Sequence, residues 1–160
     1  IFMENAAALK IDLNAIEHNG MTGFHYACER GHSDVVKIIM ENAAALKIDL
    51  NKKCTDYKTT GFHRACGRGH SDVIKIFLEN ELSLNLDLNS KCCYDLMGFH
   101  LACARGHMGV VKILMENTSS YNSIELLEKL DLRMQKRIIE TLLFILNKKL
   151  EGPNKASETC

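Results

Sequence analysis

The chain has 160 residues, Lys+Arg balances Asp+Glu at 20 each, and apolar residues make up 46%; this is one ordinary domain by length, with the balance of a folded soluble protein and not of a disordered tail. A net charge of zero argues against a dedicated nucleic-acid binder, which needs a basic excess to displace counterions, and the longest apolar run, the five residues Leu142 to Leu146, is too short for a membrane-spanning helix. The odd count of seven cysteines fits buried thiols in a reducing compartment better than a disulfide framework, so an intracellular, cytoplasmic or nuclear location is expected.

Self-similarity organises the chain. Met3 to Asn14 recurs without change as Met40 to Asn51, and a looser copy runs from Leu78 to Asn89. A second block appears as Gly23 to His32, Gly61 to His70 and Gly98 to His107, with starts 38 and 37 residues apart. A fixed period in this range means stacked units, each burying its apolar side on the next. Ile1 to Asn14 reads as the back half of a repeat, and a chain that opens at Ile1 is expected to be a piece of something longer.

Full repeats follow at about 17–51, 55–89 and 92–117. Each reads as two helices and a loop. Thr22 or Thr60 caps the first helix, and Gly31, Gly69 or Gly106 ends it in the left-handed conformation. Ser33-Asp34 and Ser71-Asp72 start the second helix with a cap and a negative charge at its positive end. Val35, Val36, Ile39, Met40, Ala43 and Leu46 then recur at helical spacing. Met97 and Met108-Gly109 replace the caps in the third unit, which should be less well held there. The stretch Ala43 to Leu46 favours helix, and its four residues predict a second helix one turn longer. Beyond Thr118, Ser123 to Leu130 and Leu132 to Leu146 are helical by periodicity, giving a terminal cap over 118–150 and a frayed tail over 151–160.

The second block resembles the ankyrin repeat. The family's Thr-Pro-Leu-His-x-Ala signature appears as Thr22-Gly-Phe-His-Tyr-Ala27, Thr60-Gly-Phe-His-Arg-Ala65 and Met97-Gly-Phe-His-Leu-Ala102. Gly31-His32 with Val35-Val36-Lys37, and its two copies, match as well. No proline opens a first helix, and the period exceeds the family's ~33 residues. The resemblance covers residues 1–117 and implies an all-α ankyrin-like solenoid of helix-turn-helix repeats, joined by loops or short hairpins and closed by the helical cap.

It also implies a scaffold that binds another protein on the concave side, with no catalysis and no cofactor. Carried over by position, the loop tips offer His18, Asn19 and Met21, then Tyr57 and Thr59, then Tyr94 and Leu96. The inner helix face offers Tyr26 and Arg30, Arg64 and Arg68, Leu101 and Arg105. The copies differ most at these positions, as a display surface would, and Tyr and Arg dominate binding hot spots. Arg30, Arg68 and Arg105 recur at one place and are expected to form a line of positive charge for a partner's acidic segment. In this family a loop asparagine can be hydroxylated when a Leu stands eight residues upstream. Here Ala6, Ala43 or Glu81 stands there, so Asn14, Asn51 and Asn89 are expected to cap loop backbone.

A competing reading uses the same residues for chemistry. His25-x2-Cys28-x3-His32 and its copies have the look of a metal or redox set. Seven residues of helix put such histidines about 10 Å apart, too far to share an ion bound at about 2 Å. The first His is expected to make an inter-repeat hydrogen bond, Cys28, Cys66 and Cys103 to fill small core slots, and the second His to link the two helices of its unit. Cys54, Cys92 and Cys93 fall in loops near Lys52, Lys53 and Lys91 and are expected to be surface thiols. Three near-identical copies suit packing better than an active site, though a regulatory segment of a larger enzyme or channel would look the same. Met134, Ile138, Leu142 and Ile145 have heptad-like spacing; they are expected to cover the third repeat in a monomer instead of pairing two chains.

Overall fold

A computed structural model of the protein describes residues 12–117 and 130–150. The half repeat expected before Asn14, the first cap helix expected up to Leu130 and the tail from Glu151 therefore lie almost wholly outside the described residues. Helices run in the order α1 (Gly23–Arg30), α2 (Ser33–Glu41), α3 (Gly61–Arg68), α4 (Ser71–Asn80), α5 (Gly98–Ala104), α6 (Met108–Glu116) and α7 (Leu132–Leu150), and no strand occurs among the described residues. The first helices, α1, α3 and α5, pack side by side in one row and the second helices, α2, α4 and α6, in another, while α7 lies against α6. This is the expected helical solenoid.

Local chemistry explains the first helices. The Nδ1 atom of His25, His63 and His100 accepts the backbone N–H of Thr22, Thr60 and Met97, three residues earlier, at 3.2, 3.3 and 3.1 Å. In the first two units the Thr hydroxyl also reaches that nitrogen, at 2.9 Å. The third unit loses the hydroxyl and keeps the backbone bond. An Nδ1 that accepts leaves the proton on Nε2, which donates across the joint to Lys52 O from His25 at 2.9 Å and to Leu96 O from His63 at 3.3 Å.

The second histidines do something other than the expected link within a unit. His70 Nε2 donates 2.8 Å to Glu29 O and His107 Nε2 donates 3.0 Å to Gly67 O, in each case to the preceding repeat's first helix. The last carbonyls of a helix lack intrahelical partners, and these rings supply them. The residue before the second helix is the histidine itself, so Ser33 and Ser71 stand one place inside and are not the caps.

Packing explains the missing proline. Phe24, Phe62, Phe99 and Cys28, Cys66, Cys103 are all buried, larger than the Leu and Ala of the resembled signature. A Cβ on Gly61 would stand 2.9 Å from both Cys28 Sγ and the Phe24 ring, and one on Gly98 would stand 2.8 Å from Cys66 Sγ. The bulkier Phe and Cys of one unit thus require a glycine at the start of the next unit's first helix. Phe77 of α4 closes the layer, its ring 5.9 Å from Phe24 and 5.3 Å from Phe62 between centroids. Ala65, fully buried in α3, has no room for more carbon; Ala65→Leu is expected to destabilise by about 1–3 kcal/mol through overpacking, read as a lower urea midpoint at unchanged slope.

The predicted extra turn of the second helix does not form as a continuous helix. α2 ends at Glu41 and α4 at Asn80. Asn42 Nδ2 donates to Ile38 O at 2.8 Å and Asn80 Nδ2 to Ile76 O at 2.8 Å, and past Asn42 the ladder breaks, with Ala43 N–H bonding Met40 O at 3.2 Å. The inserted residues make one separate turn, closed by Ile48 N–H to Ala43 O and ended by Lys47 at a positive φ of 52°. Bending there buries Ala43, Ile48 and Leu50 against the stack, a gain that outweighs the helix propensity of the alanines.

Asn14 and Asn51 cap backbone, but across the joint. Asn14 donates to Lys47 O at 2.9 Å and accepts from Asp49 N–H at 3.1 Å. Asn51 does the same to Asn85 O and Asp87 N–H, both at 2.9 Å. Ile138 of α7, 1% exposed, joins the core under the third repeat, as expected of a cover; the side chains of Leu142 and Ile145 are not among those described.

Candidate functional site

The inner row and the loops before it make one face. Cys54 N–H bonds Thr59 O at 2.9 Å and Cys92 N–H bonds Leu96 O at 3.0 Å, closing each loop into a hairpin. Neighbouring hairpins join through Thr55 N–H to Asn19 O at 3.0 Å and Cys93 N–H to Tyr57 O at 2.9 Å. The tips are thereby a linked edge, and Tyr57 and Tyr94 stand on it 50% and 68% exposed.

The expected surface residues divide. His18 and Arg30 are exposed, and Tyr26 is half-buried. Asn19 is committed locally: it accepts from Met21 N–H at 3.0 Å and donates to the Tyr26 hydroxyl, which itself donates to Glu17 at 2.6 Å. Met21 and Thr59 are buried, at 4% and 7% exposure, and Leu96 is half-buried. All three stand immediately before the residue that caps a first helix, where a side chain turns inward to fix the angle of entry. Met21 and Thr59 are therefore parts of the loop's base, Thr59 at the floor of the cavity between the second and third units. Cys54 and Cys92 are buried for the related reason that they start the hairpin, and only Cys93 of the expected surface thiols is exposed.

Charge on the inner face is organised by Glu29, a residue that no expectation from the sequence singled out. Its carboxylate lies between Arg64, at 3.4 Å, and Arg68, whose Nε is 3.2 Å away. Burial pushes the Glu29 carboxyl up, but the Arg68 hydrogen bond and the Arg64, Arg68 and Arg30 charges outweigh it and hold the group below the ordinary range. Arg64 also donates to the Thr59 hydroxyl at 2.9 Å and to Cys54 Sγ at 3.5 Å. Burial raises the Cys54 thiol, yet the Thr59 and Arg64 hydrogen bonds prevail and bring it to about 7. Arg105 donates 2.8 Å to Gly67 O. The expected line of positive charge is therefore interrupted at Arg68 by an anion of the chain's own.

Between the second and third units this face opens into a cavity of about 410 Å3. Tyr57 and Tyr94 rim it; Arg64, Arg68, Leu101 and Arg105 line it, above the buried Thr59, His63 and Cys92. His63 and Cys92 were not anticipated there, because their repeat positions mark them as framework. A shallower depression of about 630 Å3 lies between the first and second units and includes Tyr26, Arg30, His32 and His70. Burial drives His63 down to about 4 and lowers His25, so both rings are neutral near pH 7. Burial also raises the Cys28 and Cys66 thiols, which suits inert core sulfur. Among the described residues no three His, Cys, Asp or Glu side chains converge as metal ligands would.

A family model described as ankyrin repeats (3 copies) matches residues 3–91 and 43–125. No curated protein matches the chain.

Proposed function

Because this chain belongs to the ankyrin-repeat family, whose members are in general protein–protein interaction modules, we propose that it is a scaffold or adaptor segment holding a protein partner on its inner face, with no chemistry of its own. The contact is centred on the cavity between the second and third units. The observation that carries this reading is a pair of exposed tyrosines over a cavity lined by three arginines and a leucine. Such residues bury large area for few frozen torsions. Tyr57, Tyr94, Arg68, Leu101 and Arg105 make the primary contact, with His18, Tyr26 and Arg30 extending it toward the first unit. The partner presents an acidic segment, and the array acts as a monomer inside the cell. Support for a reducing compartment is that none of the described cysteines is in a disulfide.

Affinity capture tests this. The intact chain serves as bait beside a Tyr57→Ser/Tyr94→Ser variant and a control, Leu82→Ser, at a side chain 94% exposed away from the cavity. All three should melt alike. The tyrosine variant is expected to lose the partner by tenfold or more in affinity, a change of about 1.4 kcal/mol. Retention of the partner by the tyrosine variant contradicts the proposal.

A further inference from the structure

The two joints between described repeats differ at two equivalent positions. In the first joint Glu29 of α1 sits with its side chain 17% exposed, held by Arg64 and Arg68 of the next unit. In the second joint Gly67 takes the place of Glu29, Leu101 that of Arg64, and Arg105 that of Arg68. No carboxylate fills this joint among the described residues. Arg105 instead closes on the Gly67 carbonyl, and a Cβ on Gly67 would stand 2.7 Å from its Nη1. The cavity occupies this joint, three guanidiniums line it, and no acidic residue among the described ones does.

The geometry points to a carboxylate delivered by the partner: the second joint takes, from an Asp or Glu side chain flanked by an apolar residue, the group that Glu29 supplies to the first joint from within the chain. Arg105 pairs with the carboxylate, while Arg68 on the same cavity wall stays paired with Glu29. An Arg fork offers five N–H donors, of which Arg105 spends one on Gly67 O. Leu101 lacks the second cation of the first joint and offers an apolar wall, so the residue next to the acid is aliphatic or aromatic and lies between Tyr57 and Tyr94. A volume of about 410 Å3 is at the lower end of the range for small ligand sites, enough for a short segment and not for a folded surface. This inference rests on the protein-binding reading above and adds the chemistry of what is bound.

Its test uses two defined probes, acetyl-Leu-Glu-Leu-amide and acetyl-Leu-Gln-Leu-amide, titrated into the labelled chain and followed by NMR at the Leu101 methyls and the Arg105 Nε–H. The Glu peptide is expected to give saturable shifts at both, at a millimolar-scale affinity set by so small a ligand, and the Gln peptide to bind at least tenfold more weakly. Gly67→Glu is expected to abolish binding of the Glu peptide by placing a carboxylate on Arg105 from within, whereas Gly67→Gln, of equal bulk, retains it. Should either Gly67 variant fail to fold, Arg105→Gln decides between the outcomes, because it must erase the preference for Glu over Gln. Equal response to the two peptides, no saturable response to either, undiminished binding in Gly67→Glu, or tighter occupation of the same residues by oligo-dT overturns the inference. If the peptides fail while capture still depends on Tyr57 and Tyr94, the inference falls and the interaction module stands; if capture ignores the tyrosines, the module reading itself falls.

Discussion

Gly69→Val is expected to lower the stability of the array by roughly 3–4 kcal/mol, combining left-handed strain, steric conflict and a lost inter-repeat hydrogen bond. Gly69 ends α3 at φ 80° and ψ 23°, the left-handed region that a β-branched residue enters only under strain. Its N–H bonds both Ala65 O and Cys66 O there, so the chain cannot relax out of that conformation without losing the helix end. Space is the second obstacle. A Cβ at Gly69 would stand 2.6 Å from His107 Nδ1, and that ring cannot retreat while its Nε2 donates to Gly67 O. Gly106 provides an internal comparison: its φ is 77°, and no described atom lies within 4 Å of where its Cβ would be. Gly106→Val should therefore cost only the backbone strain, about 1–2 kcal/mol. Urea denaturation of the two variants against the parent measures both, and equal loss at the two sites would remove the role assigned to His107.

How much of this was legible in the sequence depends on the range of the interaction concerned. Repeats, helix pairs and glycine ends are local or periodic, and the Thr22, Gly31 and His25 pattern carried them. What the sequence hid was the direction of side chains at junctions. Ala43 to Leu46 favours helix when read alone, but Ala43 N–H shifts to Met40 O and burial of Ala43 and Ile48 bends the chain. Met21 and Thr59 look like loop residues because they precede a cap, and for that same reason they turn inward. Glu29, Gly67 and Ala104 differ among the copies, and that variation is the signal that could have marked Glu29. It could not have said which cations Glu29 meets, since Arg64 and Arg68 lie 35 and 39 residues away. The departures from the resembled signature also explain one another only in three dimensions: glycine replaces proline where phenylalanine and cysteine of the preceding unit need the room.

The histidines make the array acid-sensitive in a definite window. His63 accepts the Thr60 N–H on Nδ1 and donates from Nε2 to Leu96 O, so its neutral form is the one the fold uses. Protonating Nδ1 would set one N–H against another in a site 1% exposed. Burial is the main cause that holds His63 down to about 4 from an ordinary 6.5, and Lys53 adds repulsion while Asp87 opposes it. His25 is lowered by burial as well, with repulsion from Arg64 and Lys52. The sign follows from proton uptake. Below pH 6.5 the unfolded chain binds a proton that folded His63 refuses until about pH 4, so acid favours the unfolded state throughout that interval. The stability is whole above pH 6.5 and is lost as pH falls toward 4; His63 alone accounts for about 2 kcal/mol by pH 5 and about 3 kcal/mol in full. Glu29, held below 4.5, acts in the same direction but lower on the scale, and Cys54, brought to about 7, acts in the same direction above pH 7 and adds little below it, which leaves the fall between pH 6.5 and 5 mainly to the histidines. Urea midpoints at pH 7, 6 and 5 and constant ionic strength should fall steadily, and the His63 ring signals should not titrate above pH 5. A midpoint that stays flat across that range would show that the buried ring accepts the proton, and the Thr60 and Leu96 bonds could not then be as described.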